Sequence, residues 1–131
     1  MSQRRLVPPS QWTDPRHRRG LAGERAAMAY LAARGWRIEA HRFRLGRHDL
    51  DVVARRAGIV AFVEVKARQG AGFGTALEAV GPRKRAILSR VAEAWRLRYG
   101  RPGEVYRFDL ISVLERDGAV VVGHLADAWR L

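Results

Sequence analysis

The feature that most constrains the fold is a pair of β-rich runs in the middle of the chain. They read "DLDVVARR" from Asp49 and "GIVAFVEVKA" from Gly58, with a short Arg-Ala-Gly break between them. Apolar runs rich in Val and Ile that flank such a break are typical of an antiparallel hairpin. Four charged residues interrupt these runs: Asp49, Asp51, Glu64 and Lys66. They are therefore the first candidates for a functional role.

The register of this hairpin decides whether the charges share a face, because side chains alternate faces along a strand. A two-residue turn at Ala57–Gly58 would set Asp51 opposite Glu64. The same register sets Asp49 opposite Lys66, whereas a slip of one residue would send the two acids to opposite faces. We therefore expect a carboxylate pair with Cβ atoms about 5.5 Å apart and a Lys about 7 Å further along the strand.

The predicted acid pair favours a bound cation, since like charges directly opposed on a sheet are destabilising. Mg²⁺ takes oxygen ligands, commonly one or two carboxylates with waters and phosphate oxygens, and can acidify a bound water. Lys66 could position that water or stabilise developing negative charge. The alternative is a purely structural salt-bridged edge, in which Asp51, Glu64 and Lys66 compensate one another.

The charge balance favours a polyanionic partner. Lys and Arg number 25 against 13 Asp and Glu, which gives a net charge of +12 and a pI near 11.6. Nucleic acid is the expected partner; the alternative is a composition biased towards Arg. An acidic membrane is disfavoured because no basic amphipathic helix stands apart from the fold. Lys66 and Lys84 are the two Lys residues of the chain, and all its other Lys or Arg positions are Arg. This contrast suggests that those two positions require an ammonium group rather than a guanidinium.

Length and composition indicate one domain in a reducing compartment. A chain of 131 residues suits a single core, predicted over residues 20–131, behind a mobile basic arm at residues 1–19. The absence of Cys fits the cytoplasm. Neither an 18-residue apolar run nor a signal-peptide core is present, so no membrane span or export is expected.

The first predicted helix carries a further acid. "GLAGERAAMAYLAAR" (Gly20–Arg34) is Ala-rich, and Gly35 supplies a stop. Helical spacing predicts an apolar stripe, into which Glu24 falls. We therefore expect Glu24 to face the core or a cleft, where it could join the acid pair. The stripe comprises Leu21, Met28, Leu31 and Ala32.

The remaining segments complete a mixed α/β order. "WRIEAHRF" predicts a strand before the hairpin, and the Gly-rich run 68–81 predicts a flexible loop after it. Pro82 opens a second helix that runs up to Gly100, with Lys84 on its apolar stripe. "VYRFDLISVL" and "AVVVGHL" predict a last hairpin around "RDG". The order αβββαββ indicates a sheet covered by helices, with Trp36 and Trp95 in the core and Asp109 structural.

Four segments of the chain together carry a family resemblance. "GERAAMAYLAARGWRI" is similar to a Gly-Glu helix, "DLDVVAR" with "AFVEVKAR" to an acidic strand pair, and "EAVGPRKRAI" and "RFDLI" to later motifs. With these motifs the chain resembles the YraN-like family of uncharacterised bacterial proteins, predicted to be endonuclease-related. More broadly it resembles the PD-(D/E)XK nuclease superfamily. The likeness covers about Gly20 to Val113.

The resemblance implies a restriction-endonuclease-like core and a set of site residues. Asp51 and Glu64 would bind Mg²⁺ or Mn²⁺, with the Val65 carbonyl as a third ligand. Lys66 would be catalytic and Glu24 a supporting acid.

Two positions depart from the family pattern. His48-Asp49 replaces a Gly-Glu pair, which keeps a carboxylate and makes Asp49 a supporting residue. Arg42 stands where the family usually has Asn, two residues before Arg44, and could alter how the opening strand is tied down.

The candidate nucleic-acid contacts are Arg25, Arg68 and Lys84. Arg68 lies beside the Gly-rich loop, and Lys84 near the positive end of the second helix could reach a phosphate. The alternative for Arg68 is an ordinary loop residue without a ligand. The alternative for Lys84 is a side chain whose stem covers core surface while its ammonium reaches solvent. The four His residues show no metal-ligand spacing and are treated as incidental.

Three functions follow, because fold alone does not fix activity. The first is a Mg²⁺- or Mn²⁺-dependent nuclease that hydrolyses DNA phosphodiester bonds, including those of branched or processed DNA. The second is a non-catalytic nucleic-acid-binding module that keeps the nuclease fold. The third is a protein-interaction scaffold that docks on an acidic partner.

Overall fold

The computed structural model describes residues 15–69 and 80–131, and their side chains over residues 20–67 and 80–131. Residues 1–14 of the predicted arm (1–19) and residues 70–79 of the predicted loop (68–81) lie outside this part. The element order αβββαββ is the predicted one and is consistent with a restriction-endonuclease-like core. Its elements are α1 (Pro15–Ala33), β1 (Arg37–Leu45), β2 (His48–Arg56), β3 (Ile59–Gln69), α2 (Pro82–Tyr99), β4 (Val105–Arg116) and β5 (Ala119–Arg130).

The five strands form one mixed sheet in the order β1-β2-β3-β4-β5. Neighbours pair antiparallel except β3 and β4, which run parallel from Ile59 opposite Val105 to Gln69 opposite Glu115. A parallel pair needs a crossover connection, and α2 supplies it. Neither helix of the described chain is long and apolar enough to cross a membrane.

The two helices cover opposite faces of the sheet. On the α1 face, Ala27 and Leu31 pack with Val52 and Val63, and on the α2 face Trp95 packs with side chains of the alternate strand positions, including Val53 and Phe62. This arrangement follows from strand alternation, because β2 and β3 are apolar on both faces. Trp36 and Trp95 are buried, as predicted.

The first helix differs from its prediction at its start and in its buried face. It begins at Pro15 rather than Gly20, and Pro is tolerated in a first helical turn. Its buried face contains Gly23, Glu24, Ala27 and Leu31, whereas Ala32 is exposed, so the predicted stripe was wrong at that residue. Gly23 explains the rotation: a Cβ there would lie 2.8 Å from the Ala67 Cβ, so glycine lets α1 approach β3 closely.

The central hairpin has the predicted turn and register. Ala57 and Gly58 have φ of 50° and 78°, the left-handed conformation that a two-residue hairpin turn requires. The ladder runs from Arg56 opposite Ile59 to Val52 opposite Val63. The second helix also begins at Pro82 and ends before Gly100, as predicted.

Candidate active site

The acid pair, Asp51 and Glu64, lies where the β2–β3 ladder ends. Beyond Val52 and Val63 the Val65 amide donates to Asp51 Oδ2 at 2.7 Å, so a side chain takes the place of a backbone acceptor. The predicted register brings the two acids together on the α2 face. The backbone ladder stops before the predicted Asp49–Lys66 pair, which stays a prediction; on the other edge of β2, Asp49 pairs with Arg44 of β1.

Burial and like charge disfavour full ionisation of the acid pair. Burial raises the pKa of Asp51, and the neighbouring Glu64 charge raises it further, to about 8. The hydrogen bond from the Val65 amide opposes this shift but does not reverse it. Two adjacent carboxylates do not both ionise easily, so at neutral pH such a pair tends to keep one proton. A bound cation would replace that proton.

Two ammonium groups accompany the acid pair. Lys84 Nζ lies 2.7 Å from Glu64 Oε2 and is partly exposed, which joins the start of α2 to β3. Burial works against its charge, but the hydrogen bond to Glu64 raises the pKa of Lys84. Burial and the nearby Lys84 charge lower the pKa of Lys66. The sequence predicted Lys66 beside the acid pair and Lys84 near the start of the second helix. It did not predict the contact between Lys84 and Glu64.

Glu24 approaches from α1 and is already occupied by hydrogen bonds. Its Oε1 lies 2.6 Å from His41 Nε2 and accepts from Arg42 Nε at 2.8 Å, while Oε2 accepts from Arg42 Nη2 at 3.3 Å. Burial alone would raise the pKa of Glu24, but these hydrogen bonds lower it below its ordinary value. Glu24, His41 and Arg42 are called the clamp below. The sequence did not predict these contacts: His41 was expected to be incidental, and Arg42 was expected only to alter how the opening strand is tied down.

Asp49 lies half-buried at the rim of the site. Burial raises its pKa, against the opposing charges of Arg42 and Arg44. When ionised it adds negative potential near the acid pair, and its supporting role stays a prediction.

The acids Glu24, Asp49, Asp51 and Glu64 line one cleft of about 680 Å³, together with Lys66 and Lys84. Its basic rim is built from Arg47 in the β1–β2 turn and His48 at the start of β2, and from Arg83 and Lys84 at the start of α2. The acids, Val65 and Lys66 lie inside it. Arg25 is exposed on α1 and is not among the lining residues, and the Arg68 side chain lies outside the described part.

The donor set fits a hard divalent cation that keeps few protein ligands. Among the described residues, no three His, Cys, Asp or Glu side chains are placed to hold a metal ion. Mg²⁺ usually keeps several waters and takes one or two carboxylates with substrate oxygens, so Asp51 and Glu64 suffice. The predicted part of the Val65 carbonyl stays a prediction; its amide already serves Asp51.

A second buried acid, Asp109 on β4, has a different environment. It is fully buried on the α1 face and accepts from Arg107 Nε at 3.0 Å, His124 Nε2 at 2.7 Å and the Asp127 amide at 3.0 Å. His124 also contacts the Tyr30 hydroxyl of α1 at 3.0 Å, so it is not incidental. Burial would raise the pKa of Asp109, but these partners lower it. The Asp109 cluster is thus a satisfied structural network.

Comparison with known proteins places the chain in a family. The model of the uncharacterised protein family UPF0102 matches residues 23–113, which contain the acid pair and the clamp. The chain belongs to the UPF0102 family. It is similar to a UPF0102 protein of Parafrankia sp. (strain EAN1pec), with 39% identity over 113 residues that cover 86% of this chain and 96% of that protein.

Two further UPF0102 relatives span most of the chain. The protein of Nocardia farcinica is 42% identical over 107 residues, which cover 81% of this chain and 84% of the relative. The protein of Chlorobium phaeobacteroides is 32% identical over 124 residues, which cover 90% of this chain and 97% of the relative. These names give the family and no activity, so the chemistry has to be argued from the site.

Proposed function

We propose that this UPF0102 protein is a divalent-metal-dependent phosphodiesterase that acts on DNA. The observation that carries the proposal is the acid pair, in which burial and Glu64 raise the pKa of Asp51 to about 8 at the floor of a basic cleft. A structural protein gains nothing from two adjacent carboxylates that repel each other. Strongly perturbed acids in a cleft are typical of functional sites.

The chain's own residues fit the parts of phosphodiester hydrolysis. Asp51 and Glu64 would hold Mg²⁺ or Mn²⁺, which when bound acidifies water and neutralises charge growing on phosphorus. Lys66 has a lowered pKa, so it can accept a proton from the attacking water more readily than an ordinary Lys. Lys84 can pass from Glu64 to the substrate phosphate when a cation takes over its role.

The cleft rim supports a nucleic-acid substrate. Arg47 and Arg83 stand on its two walls and are exposed, so they can meet phosphates on either side of a scissile bond. The net charge of +12 adds a long-range attraction for polyanions. DNA rather than RNA, and branched or processed DNA in particular, rests on the superfamily resemblance.

Cleavage by purified variants tests the proposal. Linear, nicked and branched DNA would be incubated with Mn²⁺ and wild-type, D51N, E64Q or K66A protein. We expect cleavage to fall by about 10²-fold or more in each variant, since each removes a cation ligand or the proton acceptor. E93Q is the matched control, because Glu93 is a partly exposed acid of α2 that pairs with Arg96 and does not line the cleft. Equal cleavage by wild type, D51N and K66A would mean a contaminating nuclease and would refute the assignment.

A non-catalytic nucleic-acid-binding module is the second candidate. The contact between Lys84 and Glu64 favours it, because an internal ammonium already compensates one of the two acids without any metal. This function predicts DNA binding that weakens steeply with salt, is unchanged in D51N and leads to no turnover. Fluorescence anisotropy with labelled DNA at several salt concentrations separates the two candidates.

A further inference from the structure

The clamp commits both oxygens of Glu24 to protein partners. Oε1 has two of them, His41 Nε2 and Arg42 Nε, and Oε2 accepts from Arg42 Nη2. Arg42 and Glu24 thus form a nearly bidentate guanidinium–carboxylate pair, a geometry that gives strong, charge-assisted hydrogen bonds. The carboxylate has only 10% of its side chain exposed although it lines the cleft. Three of the roughly four acceptor sites of this carboxylate are therefore occupied by protein groups, which leaves little capacity for a metal ion.

The backbone of β1 is distorted at the clamp. Neighbouring side chains of a regular strand point to opposite faces, yet His41 and Arg42 both reach Glu24. Arg42 has φ of 59°, a left-handed conformation that is rare for a long side chain. Such a conformation costs of order 1–3 kcal/mol and persists where the surroundings enforce it, often at functional sites.

The position of Arg42 links the clamp to the acid pair. His41 pairs with Val52 and Phe43 with Leu50, so Arg42 lies across from Asp51 on the neighbouring strand. Its charge acts on Asp49 and Asp51 as well as on Glu24. The guanidinium therefore compensates one acid of the cleft, Glu24, and leaves the acid pair and Asp49 as the other acids that line it.

We propose that Glu24 is not a metal ligand but the anionic member of the clamp, whose charge Arg42 compensates, and that Arg42 and His41 are positioning residues. The clamp limits the site to one divalent cation, held by Asp51 and Glu64. This inference rests on the proposed function, and it replaces the sequence-based expectation that Glu24 joins the acids as a catalytic group.

A charge-conserving double variant tests the clamp by calorimetric titration with Mn²⁺ alone. E24Q/R42N removes one negative and one positive charge together, and Asn suits the left-handed backbone at that position. We expect it to bind one Mn²⁺ per chain, as wild type does, with affinity within about threefold. E64Q should lose at least about tenfold, because it removes a ligand. A tenfold loss in E24Q/R42N would make Glu24 a ligand and overturn the inference.

The single variant R42N gives a change in Mn²⁺ affinity whose direction distinguishes charge compensation by Arg42 from a merely structural role. Without the guanidinium the Glu24 charge is uncompensated, so Mn²⁺ should bind about threefold or more tightly than to wild type. Damage to a merely structural residue would weaken binding instead, and weaker binding to folded R42N would contradict the clamp. If E24Q/R42N fails to fold, E24M/R42M replaces it, since apolar residues of similar volume often substitute for a buried ion pair.

The same titrations separate this inference from the proposed function. Wild-type protein that binds no Mn²⁺, or that binds it no better than D51N and E64Q, refutes the metal site itself and the inference with it. A metal site that depends on Asp51 and Glu64 but loses Mn²⁺ in E24Q/R42N refutes the clamp alone.

Discussion

Asp109 and Asp51 are carboxylates of the same sheet, but they lie on opposite faces and have opposite electrostatic environments. Asp109 is surrounded by donors from Arg107, His124 and a backbone amide, which lower its pKa. Asp51 has one amide donor and a second carboxylate beside it, and its pKa is raised to about 8. The partners of each acid, rather than burial alone, therefore make the charge of Asp109 stabilising and the charge of Asp51 destabilising.

This difference separates a structural acid from a functional one. A buried charge stabilises a fold only when its partners compensate the loss of hydration. The Asp109 cluster meets that condition with protein groups alone. The acid pair meets it only in part: Lys84 contacts Glu64, yet the pKa of Asp51 stays raised, so the second negative charge is incompletely compensated, a cost in stability that functional sites commonly carry.

The largest expected effect is the loss of the Asp109 cluster. D109N removes a charge that Arg107 and His124 both contact, so two donors lose their anionic partner in a buried place. We expect the free energy of unfolding to fall by about 3–5 kcal/mol, measured by urea denaturation. D117N is the control, because Asp117 is exposed in the β4–β5 turn and Asn tolerates its φ of 52°. A loss below about 1 kcal/mol in D109N would contradict a compensated network.

The next effect in size is stabilisation by a divalent cation, which should act on the acid pair alone. A ligand at one hundred times its dissociation constant stabilises the native state by about 2.7 kcal/mol. We expect Mn²⁺ to raise the melting temperature of wild type and of D117N but not of D51N. An equal rise in D51N would show that Mn²⁺ binds elsewhere. It would contradict the interpretation that Asp51, unlike Asp109, belongs to a cation site.

The sequence predicted the parts of the site that depend on local rules. The two-residue turn at Ala57–Gly58 and strand alternation fix the register, so these short-range patterns alone place Asp51 and Glu64 on one face. The same rules predicted α2 from Pro82 and its stop at Gly100. These features follow from a few neighbouring residues, which is why a single sequence is enough.

The parts that were missed depend on contacts between distant segments or on irregular backbone. Arg42 breaks strand alternation through its positive φ, so no period-2 pattern could show that it joins His41 at Glu24. Lys84 reaches Glu64 only because the crossover helix begins beside β3. The rotation of α1 depends on the contact of Gly23 with Ala67, which lies in another element.

The smallest expected effect is also the most unusual, because it is a gain in stability. The folded-state pKa of Asp51 is raised from 3.8 to about 8, so its protonated form is favoured in the native protein. The stability from this proton is fully present below the unfolded-state pKa and is lost as the pH rises through about 8. Asn mimics the protonated acid and does not titrate, so D51N should escape that loss.

We therefore expect D51N to equal wild type near pH 4 and to exceed it at pH 8 by about 1–3 kcal/mol, a figure reduced for the partial exposure of the site. Urea unfolding without metal at several pH values gives the difference directly. D109N should show no such gain at pH 8, since the pKa of Asp109 is lowered and its charge stabilises the fold above the unfolded-state pKa. If D51N is less stable than wild type at pH 8, Asp51 is compensated in the way Asp109 is, and the acid pair has no need of a cation.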